Sequence, residues 1–289
     1  MRIGGVFSVY KGDNPIFLRQ ALDSILTDQT RLLDECVGVI EGEIGNELTK
    51  VCDIFPQVKW LKINQTNVFG LPKALNTAVD KINTDIVLKI DTDDLYPRER
   101  VEFTESAFQN DQSLDLHGGQ AQEFSQDFTK NFGLRSVPLK KSEILRFSKS
   151  RNPFNGPSVA FKKSAFVRFG GFPQVEANED YCLWGHFLVN DLNVSNSSEV
   201  YVYMRGGRDL VSRRSSSRYR KGELQALKYL RDIGLFTYSQ FMRHVIAKQI
   251  VRSLPVKWNS YIYSKLRREK GQETPDNLQI ILQKDRNEN

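Results

Sequence analysis

The chain has 289 residues, a formal net charge of +6 at neutral pH and 39% hydrophobic residues, enough for one large domain or a domain with an appendage. No stretch approaches ~20 apolar residues, so no membrane span is expected. Met1-Arg2-Ile3 runs straight into a strand-like segment without the regions of a signal peptide. Cys36, Cys52 and Cys182 are few, odd in number and scattered, which argues against a zinc cluster or disulfide framework and fits a reducing cytoplasm.

Ile3 to Val9 is apolar and β-rich and predicts a first strand. Asn14-Pro15 opens a helix, with Asn14 as N-cap and Pro15 at the first helical position. Leu18, Ala21, Leu22, Ile25 and Leu26 fall on one face of it. Val37 to Ile40 predicts a second strand ending at Glu41-Gly42, and a weaker helical stretch covers Asn46 to Ile54. Val58 to Ile63 predicts a third strand. Leu71, Leu75, Ala78, Val79 and Ile82 mark another amphipathic helix, and Ile86 to Ile90 predicts a fourth strand. This alternation implies an α/β fold: an open, mostly parallel, Rossmann-like sheet with helices on both faces. Ligands of such sheets sit beyond the carboxyl ends of the strands. Tyr10-Lys11, Glu41 and Asp91 to Asp94 are therefore expected to gather on one edge.

The second half is less regular. Pro97 to Gln109 reads as a helix, and short strands are expected near Gly118 to Phe124 and Ser158 to Phe161. Lys163 to Phe169 predicts a brief helix stopped by Gly170-Gly171. Glu179 to Leu188 predicts a helix whose first turn holds Glu179 and Asp180. Val200 to Arg205 alternates like an edge strand. Gly222 to Ile233 and Tyr238 to Arg268 read as helices, the second broken at Pro255. The polar tail after Gly271 is expected to be disordered.

Asp91-Thr92-Asp93-Asp94 carries the most chemical information. Three carboxylates at a strand end repel one another unless something positive joins them. Asp91 and Asp93 point the same way in extended chain, a start for a hard divalent cation that takes oxygen ligands. The alternative is an N-cap, with Asp93 or Asp94 opening the helix near Pro97.

Positive charge is concentrated late in the chain. Arg205, Arg208, Arg213, Arg214, Arg218 and Arg220 form one group. Arg243, Lys248, Arg252, Lys257, Lys265, Arg267, Arg268 and Lys270 form another. This predicts an anionic partner or a solvated helix face. Phe241, Val245, Ile246, Ile250, Val251 and Leu254 mix with these bases, and Trp258, Tyr261 and Tyr263 follow. The pattern suits either an anionic lipid surface or packing on the rest of the chain. It holds no nucleic-acid-reading motif, and no nucleic-acid partner is expected.

Several of these pieces in order resemble a family 2 glycosyltransferase of the GT-A fold. They are Phe7-Ser8-Val9-Tyr10; Asn67-Val68-Phe69-Gly70-Leu71 through Ala74 and Asn76; Asp91-Thr92-Asp93-Asp94 with Pro97 and Arg100; Asn155-Gly156-Pro157-Ser158-Val159-Ala160-Phe161; Gly170-Gly171-Phe172; and Glu179-Asp180-Tyr181-Cys182-Leu183-Trp184. The remainder, with Arg213-Arg214, Tyr219 and Glu223, resembles a branch building capsular, exopolysaccharide or O-antigen units. The resemblance implies residues 1–210 as the catalytic domain, with 1–110 as the nucleotide-sugar half and 111–210 as the acceptor half. Residues 211–270 then form a basic C-terminal helical extension and 271–289 the tail.

The family implies an inverting enzyme with a nucleotide-sugar donor, here expected to be UDP-linked, and a glycan acceptor expected to be polyprenyl-diphosphate-linked. The expected site is cytoplasmic and peripheral on the inner face of the plasma membrane. By that resemblance Ser8, Val9 and Tyr10 line the base and ribose, Glu41 reads the base where Asp is more usual, and Asn67, Gly70, Lys73 and Asn76 complete the donor side with Asp91 and Thr92. Asp91 is assigned to the ribose side and to the metal cluster, Asp93 to Mn²⁺ or Mg²⁺, and Asp94 to a second ligand or a support. Asp180, with Glu179 beside it, corresponds to the general base, and the start of a helix favours its charged form. His117 and His186 are weaker rival bases. Asn155, Gly156, Pro157, Ser158 and Trp184 are assigned to the acceptor, Trp184 having core packing as its alternative. Arg205, Arg208, Arg213 and Arg214 are candidates for diphosphate or for surface charge. A sugar nucleotidyltransferase is the first rival, but its glycine-rich loop ending in Pro-Lys is not matched by Val9-Tyr10-Lys11-Gly12-Asp13-Asn14. A non-catalytic sugar-nucleotide-binding paralogue is the second.

Overall fold

The computed structural model describes residues 1–64, 70–206, 216–253, 278 and 282. Its first half alternates as the periodicity predicts: β1 (Ile3–Tyr10), α1 (Pro15–Leu26), β2 (Glu35–Glu41), α2 (Asn46–Ile54), β3 (Lys59–Ile63), α3 (Gly70–Lys81) and β4 (Ile86–Lys89). Asn14 caps α1 by accepting the N–H groups of Ile16 and Phe17 at 2.9 and 3.3 Å, and Pro15 needs no partner for a missing donor. β1 pairs in parallel with β2 and with β4, and β2 pairs in parallel with β3.

The sheet continues with α4 (Arg100–Asn110), β5 (Leu116–Phe124), β6 (Asn131–Arg135), α5 (Lys141–Phe147), β7 (Ala160–Lys162), α6 (Lys163–Arg168), α7 (Glu179–Val189) and β8 (Val194–Arg205). The order is β3-β2-β1-β4-β7-β5-β6, with β8 paired to β5. β7 runs antiparallel to β4 and β5, β6 antiparallel to β5, and β8 parallel to β5. β8 is longer than the alternation at Val200 to Arg205 suggests. It is also no open edge there: Tyr203 exchanges backbone hydrogen bonds with Leu95 at 3.0 and 2.8 Å.

Helices cover both faces. Leu18, Leu22 and Ile25 of α1, Leu48 and Val51 of α2, and Val101 and Phe108 of α4 pack on one. Ala74, Leu75, Ala78 and Val79 of α3 and Leu183, Trp184 and Phe187 of α7 pack on the other. The second core extends into α8 (Ser217–Asp232) and α9 (Tyr238–Ser253) through Leu227, Leu230, Leu235, Phe236 and Phe241. Packing on this core thus accounts for part of the apolar face of α9, while Arg243 and Ile246 are exposed.

Leu278 corrects the expectation of a disordered tail at its own position. It is fully buried against Leu95, Phe124, Phe128 and Tyr203, and Leu282 is partly buried beside it. An apolar residue every four positions is enough to seat a helical turn in an apolar notch, a signal too short to stand out in a polar segment. The rest of the tail lies outside the described residues. So do Asn67, Arg208, Arg213, Arg214, Trp258, Tyr261, Tyr263 and the basic residues from Lys257 onward.

Candidate active site

The carboxyl ends of β1, β2 and β4 form the expected edge. Register places Tyr10 opposite Glu41 and Val6 opposite Lys89. Glu41 is buried rather than an exposed turn residue. It is hydrogen-bonded to Ser8, and burial raises its carboxyl above the usual range. A Cβ at Gly70 would stand 2.3 Å from Glu41 Oε2, so a side chain there would displace the Glu41 carboxylate.

Asp13, which the sequence reading passed over, joins this group. It accepts the N–H of Tyr10 at 3.0 Å and bonds the Thr92 side chain. Burial, with Asp93 and Glu41 nearby, pushes its carboxyl up to about 7. Its only sequence signal is its place just past the first strand. Val9 is fully buried in the core, and Tyr10 is exposed at the rim.

The four residues from Asp91 to Asp94 divide into separate roles. Asp91 is ion-paired to the buried ammonium of Lys89, and its backbone N–H donates to Tyr96 Oη at 2.7 Å. Asp94 is 3% exposed and accepts the backbone N–H of Arg205 at 2.9 Å. Burial and its acidic neighbours raise its carboxyl well above the usual range. Asp94 is therefore a support that ties the cluster to β8, not an open metal ligand, and Asp91 is engaged by Lys89. Thr92 and Asp93 are half-buried on the cleft. The N-cap alternative fails as well: α4 begins at Arg100, after Glu99, with no side-chain cap. Among the described residues no group of three or more His, Cys, Asp or Glu side chains is arranged to hold a metal ion.

Lys89 links this edge to α7. Its ammonium pairs with Asp91, and against burial the charges of Asp91, Glu179 and Asp180 raise its pKa. Breaking a buried pair by removing one partner costs about 3–5 kcal/mol. Glu179 and Asp180 open α7 after Asn178, which takes the left-handed conformation at φ 58° that Asn tolerates better than most residues. Burial and Asp180 push Glu179 up to about 7, against the pull of Lys89. Burial also raises Asp180, with Lys89, the Tyr181 N–H and Arg135 opposing. Asp180 Oδ1 accepts that N–H at 2.6 Å, and its Oδ2 accepts Asn152 Nδ2 at 3.1 Å.

The turn at Gly156–Ser158 brings only one of its residues to this carboxylate. A Cβ on Gly156 would lie 2.8 Å from Asp180 Oδ2. Asn155, Pro157 and Ser158 are buried and shape the turn instead of facing an acceptor. Asn155 Nδ2 donates to the Gly119 and Arg135 carbonyls at 3.0 and 3.1 Å. Ser158 Oγ accepts the Gly119 N–H and donates to the Asn155 carbonyl at 3.1 and 2.7 Å. Arg100, fully buried and stacked over Tyr201, braces the turn through the Ser158 carbonyl at 2.7 Å.

Other assignments move to structural roles. Trp184 is fully buried among Phe154, Phe161, Phe172 and Phe187, so it offers no face to a sugar ring. Asn76 exchanges two hydrogen bonds with the backbone of Phe172, at 2.8 and 2.9 Å, and pins the turn after α6 rather than a donor. Lys73 stands exposed on α3. Arg205 is buried, bonded to Gln20 and the Gln126 carbonyl and stacked over Phe17 and Phe128, so it is neither a surface charge nor open to phosphate. His117 is held between Ser195 and Tyr201, at 2.8 and 2.9 Å, and His186 bonds Tyr229 at 2.6 Å. Neither histidine lies at the cleft.

The site thus sets an acidic edge at the ends of β1, β2 and β4 against a carboxylate pair on α7. No family model matches the chain. It is 31% identical over 264 residues to the UDP-Gal:alpha-D-GlcNAc-diphosphoundecaprenol beta-1,3-galactosyltransferase of Escherichia coli, covering 90% of this chain and 94% of that one. The chain belongs to the glycosyltransferases. An uncharacterized glycosyltransferase of Haemophilus influenzae is 33% identical over 265 residues, covering 88% of this chain and 97% of its own. The amylovoran biosynthesis glycosyltransferase AmsE of Erwinia amylovora is 28% identical, covering 91% and 98%.

The glycosyltransferase has the GT-A architecture of solved relatives. Staphylococcus aureus TarS 1-349 superposes with a TM-score of 0.62 at 12% identity, covering 91% of this chain and 79% of that one. The Pyrobaculum calidifontis mannosyltransferase PcManGT, in complex with GDP-Man and Mn²⁺, gives 0.56 at 18% identity, covering 92% and 80%. At these identities the likeness concerns the fold.

Proposed function

We propose that the chain is an inverting, family 2 glycosyltransferase that moves a sugar from a UDP-sugar to a hydroxyl of a diphospholipid-linked glycan in surface-polysaccharide assembly. The observation that supports this reading is Lys89, whose buried ammonium pairs with Asp91 and feels the charge of Glu179 and Asp180. In this reading Asp91 on the donor side and Asp180 as base share one cleft. The E. coli relative, named for UDP-Gal and a GlcNAc-diphosphoundecaprenol acceptor, supports the choice of substrates.

In this reading Glu41 and Ser8 meet the base, and Asp91 the ribose. Asp180 removes the acceptor proton as the hydroxyl oxygen attacks the anomeric carbon on the face opposite the diphosphate, which leaves with the bonding electrons. Burial raises the Asp180 carboxyl, and Lys89, the Tyr181 N–H and Arg135 oppose it, favouring the ionised form that this step needs. Gly156 keeps the space beside its Oδ2 free of a side chain.

Asp93 and Asp13 would hold Mg²⁺ or Mn²⁺, which take hard oxygen donors of this kind. Such an ion, when bound, neutralises charge on the departing diphosphate. Exposed Arg243 and Ile246 on α9 support contact with the anionic inner leaflet, a contact that Ile246→Asp should weaken in flotation with phosphatidylglycerol vesicles.

The test uses the full chain with UDP-galactose, GlcNAc-diphosphoundecaprenol and Mn²⁺. Asp180→Asn is expected to leave UDP binding near the parent's while transfer falls about 10²–10⁴-fold. Parental turnover in that variant rejects the base assignment. A thermal-shift panel of UDP-, GDP- and dTDP-sugars tests the nucleotide, and product NMR tests inversion.

A further inference from the structure

Lys89 is the last residue of β4, and its neighbours Ile86, Val87, Leu88 and Ile90 are all buried and apolar. At 4% exposure its position is one where an apolar residue would satisfy the strand, and an ammonium is not kept in such a place without a counter-charge. Its backbone N–H donates to the Val159 carbonyl at 3.1 Å, next to the turn whose Gly156 lies against Asp180. Its side chain pairs with Asp91, and the charges of both α7 acids act on it. Arg135 is a further cation acting on Asp180.

We propose that Lys89 is a positioning residue for sugar transfer: its charge is the shared counter-ion that lets Asp91 of the donor edge and Glu179–Asp180 of α7 occupy one cleft. Without it three carboxylates confront one another, and mutual repulsion moves the start of α7 away from the β4 edge. Donor contacts made by β1 and β2 are not on this line. The loss therefore falls on the transfer step, through Asp180, more than on nucleotide affinity.

The inference rests on Asp180 as base. Turnover with UDP-galactose and the lipid-linked acceptor is measured beside calorimetric affinity for UDP with Mn²⁺, for Lys89→Met, Lys89→Arg and Asp180→Asn. Lys89→Met is expected to lose on the order of 100-fold in kcat, as a misplacement of about 1 Å does, with UDP affinity changed less than about threefold. Lys89→Arg, which keeps the charge, is expected to recover to within about tenfold of the parent. Three results overturn the proposal: Lys89→Met within about threefold of the parent's kcat, a loss appearing wholly in UDP affinity, or a folded Lys89→Arg no better than Lys89→Met. If Lys89→Met does not fold, Lys89→Met/Asp91→Asn removes both charges of the pair and leaves neither unpaired. It is expected to fold and stay at least about 30-fold slow, and parental turnover overturns the idea. An active Asp180→Asn rejects the base itself, whereas an inactive one beside an active Lys89→Met rejects only the role of Lys89.

Discussion

Gly222 offers a direct probe of how the C-terminal helices serve the site. It sits within α8, where glycine costs about 1 kcal/mol relative to alanine, so its presence calls for a packing reason. The reason is close approach. A Cβ at Gly222 would lie 2.7 Å from the Ala177 backbone nitrogen and 2.8 Å from the Glu176 carbonyl carbon. Both atoms belong to backbone, which cannot swing aside as a side-chain tip can. The strand of chain they belong to runs through Asn178 into Glu179 and Asp180.

Gly222→Ala must therefore push this segment away. Reaching ordinary contact near 3.4 Å takes a shift of about 0.7 Å, and misplacing a catalytic group by about 1 Å costs on the order of 100-fold. We expect kcat to fall roughly 10- to 50-fold with UDP affinity little changed. Overpacking costs about 1–3 kcal/mol, partly offset by the helix gain of about 1 kcal/mol. Urea denaturation should show a net loss of no more than about 2 kcal/mol. Lys221→Ala, at an exposed neighbour, is the control. A Gly222→Ala enzyme with parental kcat and raised stability would refute the claim that α8 presses on the segment leading to Asp180, the proposed base.

Asp93→Ala is expected to weaken Mn²⁺-dependent UDP binding at least tenfold, about 1.4 kcal/mol, while metal-free UDP binding changes little; calorimetry with and without EDTA decides. His117 is held neutral by burial, its pKa lowered to about 4, with Arg100 adding to the effect. The unfolded chain, with an ordinary imidazole near 6.5, takes up the proton first as pH falls. Stability from this group is thus full above that value and lost as pH drops toward about 4, by at most about 3 kcal/mol. His117→Gln should flatten this part of the urea-midpoint profile relative to the parent, and an unchanged slope would count against it. Leu278→Ala is expected to lose about 2 kcal/mol or more in urea denaturation, and parental stability would mean that the tail contact contributes nothing.

The first half of the fold was legible because each strand there ends where a helix stripe begins, and Asn14-Pro15 marks its start chemically. β6 and α5 were not, since Asn131–Arg135 and Lys141–Phe147 are too short for a period to emerge. β8 was read as an edge because alternation reports which side chains are buried, not which backbone lies alongside, and its partners are far away in sequence. The tail misled for a related reason: composition averages over a segment, while Leu278 needs only one apolar notch.

At the site, motif residues were found and their division of labour was not. Sequence places Asp91, Asp93 and Asp94 together but says nothing of which positive or donor group each one meets. Lys89 takes Asp91, and the Arg205 N–H takes Asp94 from 111 residues away. Both partners sit in segments that read as ordinary strand. With those two matched, Asp13, Glu41 and Asp93 remain close together at the ends of β1, β2 and β4. There burial has already pushed Asp13 up to about 7 and raised Glu41. Carboxylates held above their usual range in a cleft mark a candidate site for a positive partner. In the proposed function Asp93 and Asp13 would hold an exchangeable cation, whereas Lys89 is a cation built into the fold, paired with Asp91 at the end of β4.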